Sequence, residues 1–191
     1  MLLGEAFYTT LFTLHGNPAI DSLMTYFAEY LVLFVPLTLV YLWFQGRTGE
    51  EDSLYSFYTV VAGLAVSYGM GLIYSHGNPS TVFDTLVAQK PENAFPSQHT
   101  TVVVASALAY FRRDRRNLGL LMAVAAFLTG IARIYIGEHW PVDILGSAVA
   151  ASLGLGVAYL SWDGLEPVWT PALDLYDRVF DQVVARLKEL R

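Results

Sequence analysis

The sequence contains no cysteine, so disulfides, thiolate metal ligands and cysteine nucleophiles are excluded across its 191 residues. Charge is scarce as well: 15% of residues are Asp, Glu, Lys or Arg, against about a quarter in an ordinary soluble domain. The N-terminal stretch has neither the basic segment nor the small-residue cleavage pattern of a secretory signal peptide, so none is expected. No internal repeat, low-complexity tract or compositional break marks a second domain. What is abundant is apolar side chain, at 54% of residues with a mean hydropathy of +0.44. Such a chain takes a bilayer as its solvent, and there long apolar helices satisfy their own backbone hydrogen bonds.

Five stretches approach the roughly 20 residues that a spanning helix needs. They are Ile20 to Phe44, Leu54 to Tyr74, Phe95 to Phe111, Leu118 to Ile136, and Pro141 to Trp162. The expectation is an all-α integral-membrane bundle of about five transmembrane helices, forming a single domain over residues 1–191. Met1 to His15 is too short to span, carries Glu5 and is followed by the turn "HGNP", which predicts an interfacial helix. After Trp162, "DGLEPVWTP" interrupts the pattern. Leu173, Tyr176, Val179, Phe180 and Val183 then recur at helical spacing, predicting an amphipathic tail helix over 163–191.

Loops between five spans fall alternately on two sides. Arg47, the "RRDRR" cluster (Arg112, Arg113, Arg115, Arg116) and the tail residues Arg178, Arg186, Lys188 and Arg191 share one side, nine of the eleven basic residues. By the positive-inside rule that side, tail included, is cytoplasmic in a multi-pass plasma-membrane protein. "RRDRR" is then a topology anchor rather than a nucleic-acid patch, and no nucleic-acid partner is expected. The opposite, outward side receives "FPSQH", the end of "GIARIYIG" and the turn "EHWPVD".

Those three pieces carry Ser97, His99, Arg133, His139 and Asp143. Ionisable groups near a membrane are costly and usually pair or serve a substrate. Pro96 and Ser97 stand where a helix begins, and its free N–H groups favour an anion. Arg133, about one turn before a helix end, offers a forked cation. Asp143, in the first turn after Pro141, can reach back to His139 and fix its tautomer. Together these suit phosphoryl transfer: donors for the non-bridging oxygens, an oriented histidine nucleophile and a second histidine as acid, with no metal or other cofactor needed. Singly, each has a plainer reading, as a packing histidine, a snorkelling arginine or a helix-start signal.

"PSQH" followed by "RIYIGEHWPVD" resembles the second and third signature motifs of the type 2 phosphatidic acid phosphatase superfamily, and most closely its bacitracin-resistance type of undecaprenyl-diphosphatase. "IDSLMTYFAEYLV", "FPSQHTT" and "PVDILGS" extend the likeness over nearly the whole chain. The resemblance implies that His139 attacks the terminal phosphorus, Asp143 supports it, His99 protonates the leaving oxygen and then activates water, and Ser97 and Arg133 bind phosphate oxygens. The implied partners are a polyprenyl diphosphate or another lipid phosphate, together with membrane lipids.

One departure stands out. The family's first motif is a lysine, six residues, then Arg-Pro, whereas this sequence has Gly71 and Asn78-Pro79. Asn78, Lys90 and Glu29 complete the expected substrate-binding set. Lys90 is a stand-in cation or a plain loop lysine, and His76 is another source of charge. Glu29 is a counter-ion of Arg133, a substrate contact or a packing residue. Competing functions are a phosphatase for phosphatidylglycerol phosphate or phosphatidic acid, a non-catalytic lipid-phosphate binding protein, and a metal-dependent protein using His15, His76, His99 and His139, whose spacing matches no local metal motif.

Overall fold

The structure is a computed structural model, which describes residues 15–88 and 93–189; the expected interfacial helix lies, except for His15, outside the described residues. Those residues form helices and no strands. Helix α1 (Pro18–Tyr30) starts on Asn17, whose side-chain oxygen accepts from the N–H groups of Ala19 and Ile20. Pro18 sits at its first position, where a missing N–H costs nothing. A single 3-10 turn, Leu31–Leu33, carries the chain into α2 (Phe34–Trp43), so the two helices make one 26-residue span. Then follow α3 (Arg47–Ile73), α4 (Gln98–Arg112), α5 (Arg116–Tyr135), α6 (Pro141–Ser161) and α7 (Glu166–Glu189).

Among the described residues four helical spans are long and apolar enough to cross a membrane: Pro18–Trp43, α3, α5 and α6. The fifth expected span corresponds to α4, whose 15 residues extend only about 22 Å at 1.5 Å each. The difference has a physical reason. Val103, Ala105, Ala109 and Tyr110 of α4 have no exposed surface, and α3 and α5 pack along it. A helix enclosed by other helices has little lipid face and need not match the bilayer. Its hydroxyls turn back on its own backbone, with Thr101 Oγ1 donating to the Ser97 carbonyl at 2.8 Å and Ser106 Oγ to Val102 at 3.1 Å. Close approach is made possible by small residues. A Cβ on Gly154 of α6 would stand 2.4 Å from the Gly63 nitrogen of α3, so the two backbones touch there.

At the arginine end, the α4–α5 turn is clamped to α3. Buried Asp52 receives Arg113 Nε at 2.5 Å on one oxygen and Arg115 Nε at 2.6 Å on the other. Arg113 also lies over the Tyr55 ring, 5.5 Å from its centroid.

The chain divides into two compact units, Met1–Ala158 and Tyr159–Arg191. Within the second, a turn at Asp163–Leu165 leads into α7, Trp162 stacks on Trp169, and Tyr176 stacks on Phe180. Val179, Phe180 and Val183 remain exposed, a helical apolar stripe as the periodicity predicts.

Candidate active site

The site begins with the way α5 ends. Gly137 takes φ +88°, the left-handed conformation that closes a helix, and its N–H reaches the Ile134 carbonyl at 3.1 Å. The chain then doubles back, and the N–H groups of Glu138 and His139 both point to the Arg133 carbonyl, at 3.1 and 3.3 Å. Arg133, Glu138 and His139 are thereby gathered around one helix terminus. Pro141 opens α6, and Asp143 in its first turn accepts the Trp140 N–H at 2.8 Å.

His139 is held by a backbone group. Its Nδ1 lies 2.8 Å from the Ala94 carbonyl, and because a carbonyl only accepts, Nδ1 carries the hydrogen. In the neutral ring the lone pair is therefore on Nε2, which faces Arg133 Nη2 at 3.5 Å. Asp143 does reach back toward His139, its Oδ2 3.4 Å from Nδ1, but that oxygen accepts the Trp140 N–H, so the Ala94 carbonyl makes the hydrogen bond that fixes the tautomer. The other oxygen, Oδ1, lies 2.9 Å from His76 Nε2.

Arg133 is buried and bracketed by carboxylates. Its Nη2 contacts Glu138 Oε2, and its Nη1 lies 3.7 Å from Glu29 Oε1 on α1. Glu29 thus sits where a counter-ion of Arg133 belongs, with its side chain about half exposed.

A cavity of about 470 Å³ opens beside these groups, lined by His99, Arg133, Glu138, His139, Asn78, Gln98 and Ser67 among others. His99, in the first turn of α4, and His139 therefore face the same space. Asn78 is on the wall, its Oδ1 accepting from Ser80 Oγ at 2.8 Å. Ser97 is elsewhere: it stands fully buried at the N-cap position of α4 without a capping side-chain bond, its hydroxyl accepting from Thr100 Oγ1 and its carbonyl from Ser147 Oγ. Its neighbours Pro96, Gln98 and His99 line the cavity in its place. Lys90 lies outside the described residues.

Two contributors escaped the sequence reading, and a third, His76, stands in another place than a stand-in charge would. Asn93 stitches the segment before α4, its amide donating to the carbonyls of Gly71 (2.9 Å) and Phe95 (3.0 Å) and accepting from the N–H groups of Phe95 and His76. This leaves no room at Gly71, where a Cβ would meet the Phe95 carbonyl at 2.9 Å and Asn93 Nδ2 at 3.1 Å. The Ser67 hydroxyl is buried at the cavity wall with no hydrogen-bond partner among the described residues. His76 is placed behind the wall, on Asp143. Only the position of Asn93 next to "FPSQH" hinted at any of this.

The profile of the PAP2 superfamily matches residues 7–166. The chain belongs to the PAP2 superfamily. Undecaprenyl-diphosphatase BcrC of Bacillus subtilis is 32% identical over 176 residues, 91% of this chain and 89% of that protein. Among solved structures, LpxE of Aquifex aeolicus superposes with a TM-score of 0.69 at 20% identity, over 82% of this chain and 94% of that one. The transmembrane PAP2-type phosphatidylglycerolphosphate phosphatase of Bacillus subtilis gives 0.64 at 22% identity, over 87% and 86%. These structural likenesses establish the fold. As a PAP2 member the chain is a multi-pass membrane enzyme of the lipid-phosphate hydrolase class.

Proposed function

We propose that this PAP2 member removes the terminal phosphate of a polyprenyl diphosphate, undecaprenyl diphosphate in the first instance, releasing the monophosphate and inorganic phosphate. The observation that carries the reading is the unprotonated Nε2 of His139, 3.5 Å from Arg133 Nη2, in a residue that lines the same cavity as His99.

In this reading the Nε2 lone pair attacks the terminal phosphorus as the bridging P–O bond breaks. The leaving oxygen, on the lipid monophosphate, takes a proton from His99. The bond formed is P–Nε2, so the ring becomes a phospho-imidazolium whose charge Asp143 offsets. His99, now neutral, removes a proton from water, whose oxygen attacks the same phosphorus. The P–N bond breaks and its electrons return to Nε2. Arg133 and the first N–H groups of α4 hold the non-bridging oxygens, with Asn78 and Ser67 as neutral donors and Lys90 as a further cation for the diphosphate. Ser97 supports the helix terminus from behind, and Glu29 keeps Arg133 in place. Residues 1–191 then act as one phosphatase domain, in the plasma membrane, with the arginine end and the 163–191 tail cytoplasmic and the cavity outward.

The test is phosphate release from undecaprenyl diphosphate by the purified protein in the presence of chelator. Release is expected from the wild type and none above background from His139→Ala. Wild-type rates in that variant would overturn the assignment of the nucleophile. Faster turnover of phosphatidylglycerol phosphate or phosphatidic acid would move the substrate within the same chemistry, and binding without turnover would favour a lipid-phosphate binding protein.

A further inference from the structure

We propose that His76 is a positioning residue for the nucleophile, acting through Asp143 and through the Ala94 backbone. The inference rests on the phosphohistidine reading of His139.

Asp143 is fully buried. One of its oxygens is satisfied by the Trp140 N–H. The other, Oδ1, has His76 Nε2 at 2.9 Å, a close ion-pair contact, and neither atom makes an aligned hydrogen bond among the described residues. His76 Nδ1 stands 3.0 Å from the Gly77 carbonyl, which can only accept, so that nitrogen carries a hydrogen. Both nitrogens of the His76 ring thus face oxygens, Nδ1 the Gly77 carbonyl and Nε2 the buried carboxylate.

A separate path runs through the backbone. The His76 carbonyl accepts the Ala94 N–H at 2.9 Å, and the Ala94 carbonyl holds His139 Nδ1 at 2.8 Å. The His76 N–H is itself fixed on Asn93 Oδ1, and its ring packs edge-on against Tyr74 with centroids 5.3 Å apart. The segment after α3, the segment before α4 and the turn into α6 are therefore tied together at this histidine. His76 is absent from the cavity wall, so it acts on the nucleophile from behind instead of replacing the missing cations.

The consequence is chemical. Phosphorylation of Nε2 makes the His139 ring positive, and the Asp143 carboxylate, 3.4 Å away, offsets that charge. His76 holds that carboxylate in place and, through the Ala94 carbonyl, the His139 ring in its productive tautomer.

The experiment compares kcat and KM of the wild type, His76→Ala, His76→Gln and His76→Asn on undecaprenyl diphosphate, with melting temperatures measured on the same samples. Partners that orient a metal-bound imidazole are worth about 10- to 100-fold in activity; on the same scale His76→Ala is expected to lose kcat by that factor with little change in KM. The Gln amide can reach the place of Nε2 and restores most of the rate; the shorter Asn amide does not. Equal kcat in wild type and His76→Ala, with His139→Ala inactive, would overturn the inference and leave the phosphatase reading intact. If the Ala variant does not fold, Gln and Asn variants of equal rate overturn it as well. Absence of turnover in the wild type would sink the phosphatase reading instead. A readout without turnover then decides: acylation of His139 by diethyl pyrocarbonate, followed by mass spectrometry, is expected to be several-fold slower in His76→Asn than in the wild type and His76→Gln, as the unprotonated Nε2 gives way to mixed tautomers. An unchanged acylation rate would overturn the role of His76.

Discussion

Asp52 offers a quantitative test of how the arginine end is held. Its side chain is 3% exposed, and it receives Arg113 Nε at 2.5 Å and Arg115 Nε at 2.6 Å on separate oxygens. Removing one partner from a buried ion pair costs about 3–5 kcal/mol, because the remaining charge is left without compensation. Here the arginine side chains are 26% and 30% exposed, so water recovers part of that loss, and the expected cost of Asp52→Asn is about 2–3 kcal/mol. At about 2–4 °C per kcal/mol for a chain of this size, the melting temperature falls by about 4–12 °C. Glu51→Gln is the control, since Glu51 meets Arg47 and Arg113 only at 3.5 and 3.8 Å and is partly exposed. It is worth at most about 1 kcal/mol. Thermal melts in lipid-supplemented detergent measure both, and high salt should bring the wild type no closer to the Asp52 variant. If Asp52→Asn melted with Glu51→Gln, the clamp would carry no more energy than a surface pair and the reasoning would fail.

Two further outcomes follow from the cavity end. Arg133→Lys keeps the positive charge but loses the guanidinium fork between Glu138, Glu29 and His139; steady-state phosphate release is expected to show kcat lower by about 10²-fold, the scale for losing one well-placed transition-state donor, and a drop below about threefold would contradict it. Gly137→Ala combines a φ of +88° with a Cβ 2.4 Å from Thr85 Cγ2, whereas Gly16→Ala has φ +89° and nothing within 4 Å. Differential melting should therefore place Gly137→Ala well below Gly16→Ala, which bears only the backbone cost of about 1–2 kcal/mol; equal shifts would refute the packing argument.

Of the five groups that the motif spacing singles out, the fold brings His99, Arg133, His139 and Asp143 near one another, while Ser97 is buried away from the cavity. Their legibility comes from chemistry that demands particular side chains a fixed number of residues from a helix end. What holds them was not legible. The Ala94 carbonyl that orients His139 is a backbone atom and has no residue signature. Asp52 lies 61 and 63 residues from the arginines it binds, so "RRDRR" reads as a topology anchor and its clamp stays invisible. Hydropathy likewise reports composition without neighbours: the small apolar residues of α4 score alike whether lipid or protein surrounds them, and among the described residues α4 is the expected span too short to count with the other four.

The altered first motif changes where binding energy has to come from in the proposed reaction. Gly71 is packed against the Asn93–Phe95 segment, and Asn78 brings a neutral amide to the wall. Among the described residues that line the cavity, Arg133 is the only permanent cation, and Glu138 already contacts it. An incoming phosphate must therefore compete with a carboxylate for its principal donor, which weakens ground-state attraction for the phosphate by itself. The apolar chain of the substrate has no such competitor: at about 0.8 kcal/mol per methylene buried from water it stays in the bilayer, which concentrates the substrate in the plane of the site. Binding by the lipid tail, with the phosphate contacts strengthening as charge develops on the transferring group, raises turnover where tight phosphate binding would not. Loss of the family's cations is on this argument compatible with catalysis, provided the tail places the phosphorus against His139.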